Sequence, residues 1–145
     1  MMSRNCQIPM HKRVAAVIIK NNKILLMRRV KNGRKYFVFP GGRVKKGENF
    51  EAAIKREIKK EFDIDITIET FLFRIENKGR VELYFLVKNF TGESKISGEE
   101  KQVINDNDQY YLEWKNLSAL MKLSSLHPQE AKNRIEKLML SSAVK

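Results

Sequence analysis

Cysteine is almost missing from this 145-residue sequence, since Cys6 stands alone and no internal disulfide can staple the fold. The chain therefore suits a reducing compartment. Cys6 with His11 is not read as a metal site. Proline is nearly as scarce, with only Pro9, Pro40 and Pro128, so most strands and helices run without a built-in break. Long hydrophobic runs are lacking too: the longest early one, Val14 to Ile19, is far too short to cross a bilayer and has no signal-peptide layout. These absences point to a cytoplasmic protein without a membrane partner. Acid is in deficit, 17 Asp and Glu against 29 Lys and Arg, and the net charge of +12 favours phosphates and other anions near the surface. What remains, 42% hydrophobic and 32% charged, is the make-up of a globular chain rather than a disordered one. With no repeat, low-complexity tract or linker in view, residues 1–145 read as a single domain.

The apolar runs on either side of Asn21-Asn22 are rich in Val, Ile and Leu, and Asn tolerates the positive φ of a tight turn, so a hairpin is expected there. After the polar turn "KNGRK" comes the short run Tyr36 to Phe39, and Pro40-Gly41-Gly42 should end any strand, leaving a loop up to Glu48. A helix follows. Asn49 or an immediately preceding residue is its cap, Glu51 sits in the first turn where the dipole favours acid, and the pattern runs to about Phe62. "IDITIETFLFRIEN" and "RVELYFLVKNF" form a second hairpin about Asn77 to Gly79. Thr91 to Asp108 reads as a long loop or ribbon, "QYYLEW" as a strand and "NLSALMKL" as a short helix. A last helix begins near Pro128 with Ile135, Leu138 and Met139 as its apolar stripe. This order implies the α/β class, with helices packed on a mixed sheet.

Wound at about 100° per residue, the central helix puts Ala53, Ile54, Ile58 and Phe62 on one arc, and Glu57 and Glu61 fall inside it. Two like charges one turn apart repel, and more strongly where water is excluded. A cation is needed between them. Arg56 or a lysine would supply one structural answer; a divalent ion held by hard oxygen ligands is the other, with the Gly42 carbonyl as a further donor.

Gly42, Glu48, Arg56, Glu57, Ile58, Glu61 and Ile64, preceded by "FPGG", resemble in their spacing the Nudix box of the MutT-like Nudix hydrolases. The resemblance implies an α/β/α sandwich and Mg²⁺-dependent hydrolysis, Mn²⁺ being an alternative ion, of a nucleoside diphosphate linked to another moiety. It carries over Gly42, Glu57 and Glu61 as metal ligands, with Glu57 as general base. Arg56 and Glu48 join the catalytic set, Arg56 orienting Glu48 or a loop carbonyl and Glu48 standing as ligand or support. Glu99 or Glu100 would supply a further acid. A homodimer is compatible with it. Two positions depart from the box: Asp63 replaces its last glycine, where Asp tolerates a left-handed backbone, and Lys60 replaces a glutamate that is often a ligand. Lys60 would pair with Glu57 or reach a substrate phosphate, so fewer ions should bind.

Substrate identity is less legible. The downstream proline of ADP-ribose hydrolysing members is missing, and Tyr84 lies a few residues later than the tyrosine of diadenosine polyphosphate members. Tyr36 and Phe73 are candidates to stack a base, or belong to the core. The rival classes are a nucleic-acid module acting on RNA ends, which the +12 charge would suit, and a binding-only member with weakened catalysis.

Overall fold

A computed structural model describes residues 11–92, 101–105 and 108–140. The strands are β1 (His11–Val17), β2 (Ile19–Lys20), β3 (Lys23–Lys31), β4 (Arg34–Val38) and β5 (Gly41–Arg43). The helix α1 (Phe50–Phe62) follows, then β6 (Asp65–Asn77), β7 (Arg80–Thr91), β8 (Lys101–Asn105), β9 (Asp108–Asn116), a 3-10 turn at Leu117–Lys122 and α2 (Gln129–Leu140). They form two sheets. One, in the order β5-β1-β7-β6, is mixed, with β1 parallel to β7 and the other neighbours antiparallel. The second runs β2-β3-β9-β8, with β4 also paired to β3.

The turns obey local chemistry. Asn21 and Asn22 at φ 53° and 62°, Asn32 and Gly33 at 51° and 82°, and Lys78 and Gly79 at 53° and 81° all adopt the left-handed backbone that tight hairpins demand. The first hairpin is shorter than its sequence implies. Only β2 pairs with β3 beside the Asn turn, while β1, just upstream of Ile18, belongs to the other sheet between β5 and β7. One apolar run thus feeds both sheets. At Gly41-Gly42 the strand before them does end at Val38, but Gly41–Arg43 opens a new strand on β1 rather than the expected loop. An added Cβ on Gly41 would overlap the Val14 carbonyl oxygen, so only glycine allows that close pairing.

Alternation along β1 and β7 builds two cores. Val14, Ala16, Val81, Leu83, Phe85 and Val87 face α1, where Ala53, Ile54, Ile58 and Phe62 meet them. Ala15, Val17, Tyr84 and Leu86 face the α2 side, closed by Ala131, Ile135 and Leu120. Helices therefore flank the sheets, as an α/β/α arrangement requires. Burying Ile54 and Ile58 contributes about 1.5–3 kcal/mol each, enough to hold α1 in one rotation about its axis. No helix among the described residues is long and apolar enough to cross a membrane.

Candidate active site

The cap that the sequence implies starts α1: the Asn49 side chain accepts from Ala52 N at 3.1 Å. Asp63 ends it at φ 56°, the left-handed conformation expected where the box has glycine. Between these caps the burial of Ile54, Ile58 and Phe62 turns Glu57 inward to 8% exposure and leaves Glu61 half-buried. Gly42 meets Glu57 from β5. A Cβ there would overlap the Glu57 carboxyl, so the absence of a side chain is what lets the carboxylate lie against the backbone.

Arg56 organises the acids around it. Its Nε and Nη2 donate to both oxygens of Glu48, at 2.7 and 2.9 Å, Nη2 also donates to the Arg43 carbonyl at 3.1 Å, and Nη1 donates to Glu57 Oε2 at 2.6 Å. The planar fork thus ties helix to loop. Glu48 also accepts from Lys45 N at 2.9 Å. The Arg56 bonds foremost, and then Lys45, hold the Glu48 carboxyl down at about 2. Glu61 behaves oppositely: burial first, then a hydrogen bond to Glu57 and that group's charge, push its carboxyl above the ordinary value, against hydrogen bonding from Tyr110 and the field of Arg13. Lys60, largely exposed, brings its Nζ to 4.0 Å from Glu57 Oε2.

Gly42, Glu48, Arg56, Glu57 and Glu61 are therefore brought together. Both answers to their charge are partly present, since Arg56 bonds Glu57 while Glu61 still faces it carboxyl to carboxyl. Among the described residues no cluster of three or more His, Cys, Asp or Glu surrounds the pair. Glu99, Glu100 and Cys6 lie outside the described residues.

A groove of about 570 Å³, which none of Gly42, Glu48, Arg56, Glu57 and Glu61 lines, is walled by Lys31, Arg34 and Tyr36 of the β3–β4 hairpin, Lys78 and Arg80 at the β6–β7 turn, and His127 before α2. Backbone bonds from Phe37 N to Ser125 O and from His127 N to Phe37 O, each 2.9 Å, bring that last segment against β4. Arg29 pairs with Tyr36 on one side and Tyr110 on the other, so the three share a sheet face leading from the groove wall to Glu61. Tyr36 stands half-buried on that wall, in edge contact with His127 at 6.2 Å. Phe73 is not part of this wall: it is buried, stacks on Tyr84 at 4.8 Å, and belongs to the core.

Arg13, Arg80, Tyr110 and Glu82 belong to no motif in the sequence. One signal was available: Glu82 is a lone acid inside the apolar run of β7. It is 1% exposed and accepts from Arg80 Nε at 2.7 Å, Asn77 Nδ2 at 3.1 Å and the Tyr84 hydroxyl at 2.8 Å. Burial, and then the charge on Glu82, push the Tyr84 hydroxyl up.

The family model of the NUDIX domain matches residues 10–138. The chain belongs to the Nudix family. A curated relative, the ADP-ribose pyrophosphatase of Methanocaldococcus jannaschii, is 33% identical across an alignment 96 residues long that covers 61% of this chain and 57% of the relative. The chain thus spans little more than half the length of that relative. Among solved structures, the E. coli ORF135 protein is 25% identical with a TM-score of 0.67, covering 95% of each chain. The MutT protein of Methanosarcina mazei shares the fold at a TM-score of 0.66 and 18% identity, over 94% of this chain and 97% of its own. The Nudix box of this chain is the stretch from Gly42 to Ile64, and its helix is α1.

Proposed function

We propose that this Nudix protein hydrolyses the pyrophosphate of a nucleoside diphosphate linked to another moiety, in the presence of Mg²⁺ or Mn²⁺. The supporting observation is the inward-facing Glu57–Glu61 pair, tied through the charge of Arg13, which acts on both Glu61 and Arg80, to a groove lined by cations. Water would attack one phosphorus; its new P–O bond forms as the bridging P–O bond breaks, yielding a nucleoside monophosphate and the other phosphorylated moiety.

The donor set fits a hard divalent cation. Two carboxylates that repel one another and the Gly42 carbonyl are all oxygen donors of the type Mg²⁺ prefers. When bound, the ion neutralises phosphate charge and makes water a stronger nucleophile at neutral pH. The remaining steps belong to the chain. Arg56 holds Glu57 Oε2, which leaves Oε1, the oxygen against Gly42, to take the proton of the attacking water. Glu48, with both oxygens on Arg56, serves as the support that fixes this orientation. Lys31, Arg34, Lys78 and Arg80 draw the substrate's anionic part into the groove, and Tyr36 offers its ring to a base.

ADP-ribose is the first compound to assay, because the curated relative is named for it. The test is a panel of ADP-ribose, nucleoside triphosphates and dinucleoside polyphosphates, with and without Mg²⁺ and Mn²⁺, read as nucleoside monophosphate released. Metal-dependent release from at least one compound is the expected result. Release that survives exhaustive chelation with EDTA would overturn the mechanism.

A further inference from the structure

Arg13 lies opposite Glu82 in the parallel β1–β7 register, two residues along β7 from Arg80. Its Nη2 donates to the Phe39 carbonyl at 3.3 Å, and its charge acts on Glu61 at one end while it feels Glu82 and Arg80 at the other. Two guanidinium groups thus share the field of one buried carboxylate: Arg80 is bonded to it, and Arg13, opposite it in register, acts on it through charge and also on Glu61. Like charges so placed repel, and burial adds to the cost. Glu82 offsets part of it. It takes Arg80 through Nε, the inner nitrogen, so the two outer nitrogens of the fork are left to a ligand in the groove that Arg80 lines. Asn77 and Tyr84 hold the carboxylate from two further directions, so its position is set by a core tyrosine and a turn rather than by a flexible tether.

We propose that Glu82 is a positioning residue that sets Arg80, with Arg13 beside it, as a paired clamp for the substrate phosphate that is not attacked. The proposal rests on the nucleotide reading above. One buried acid shared by two arginines leaves a net positive site suited to a phosphate dianion, and the reach of Arg13's charge to Glu61 would hold the phosphate chain in register with Glu57.

The experiment is a double-mutant cycle of Glu82→Gln and Arg80→Ala on the full chain, with KM and kcat measured on the best substrate of the panel. Glu82→Gln should raise KM about tenfold with kcat within about twofold, as expected when a charge-assisted support is lost from a binding group. Arg80→Ala should raise KM at least as much, and the double variant no further. Additive effects on KM would overturn the proposal, because Glu82 would then not act through Arg80. Asn77→Ala, at a half-exposed turn, removes one of Glu82's supports and should raise KM about two- to threefold; it takes the place of Glu82→Gln in the cycle if that variant fails to fold. The affinity of ADP in EDTA, measured by calorimetry, separates the two readings. If no panel compound is hydrolysed, the nucleotide reading fails; ADP binding weakened by Glu82→Gln would still support the clamp, and unchanged binding would overturn it. If wild type is active and Glu82→Gln changes neither KM nor ADP affinity, the clamp alone falls.

Discussion

Glu57 and Glu82 are the buried acids among the described residues, and the protein treats them in opposite ways. Glu82 is satisfied by an arginine, an amide and a phenol, so its charge is fully answered inside the protein. Glu57 is answered by Arg56 on one oxygen and is also confronted by the Glu61 carboxyl. A saturated buried carboxylate serves as a structural anchor. A buried carboxylate held against another acid keeps a cost that a cation can remove, and this separates a site from a scaffold.

That contrast can be broken most severely at Glu57. Glu57→Gln should lower turnover by about 100-fold or more, the range of a positioned base, without loss of folding stability. Glu82→Ala should do the reverse in kind, costing about 3 kcal/mol of stability by urea denaturation because three polar partners are left behind. Intact turnover in Glu57→Gln would make the acid pair structural. Next comes Gly42→Ala, whose Cβ must push the Glu57 carboxyl aside; turnover should fall about tenfold or more. Wild-type rates in that variant would show that the contact has no role.

The pH dependence of stability sharpens the same comparison, and its sign differs between the two acids that flank Arg56 and Glu57. Glu48 is held low, so its contribution is present above the ordinary 4.5 and is lost as pH falls toward about 2. Glu61 is held high, so its contribution is present below 4.5 and is lost as pH rises through the raised value. Without metal, stability measured by thermal melting should therefore decline as pH climbs above 4.5, and Glu61→Gln should flatten that decline. A decline unchanged in Glu61→Gln would assign it elsewhere. The smallest effect is expected at Lys60, whose side chain is 69% exposed. Lys60→Glu should tighten Mg²⁺ binding about three- to tenfold by calorimetry, since solvent screens much of the exchanged charge. Unchanged affinity would place Lys60 outside the ion's field.

Much of this was legible along the chain because its causes are local. The ends of α1 follow from Asn49 and from Asp63, the hairpin turns from Asn21-Asn22 and Lys78-Gly79, and the inward arc of Glu57 and Glu61 from helical winding. The spacing from Gly42 to Ile64 carried the family with it. Where β1 goes was not legible. A continuous apolar run looks the same whether it pairs with the next strand or leaves at Ile18 for another sheet, because partner choice depends on long-range packing.

By itself the sequence determined the helix, its caps, the turns and the acid spacing, since each depends on neighbours within a few residues. Tertiary structure decided which apolar runs share a sheet, that Gly41–Arg43 is a strand, and that Phe73 fills the core while Tyr36 walls a groove. It also set Arg13, Glu82 and Arg80 in one cluster. Side chains on different strands, far apart in sequence, acquire partners only when the sheets close, and only then can an isolated glutamate in an apolar run become the hold on an arginine.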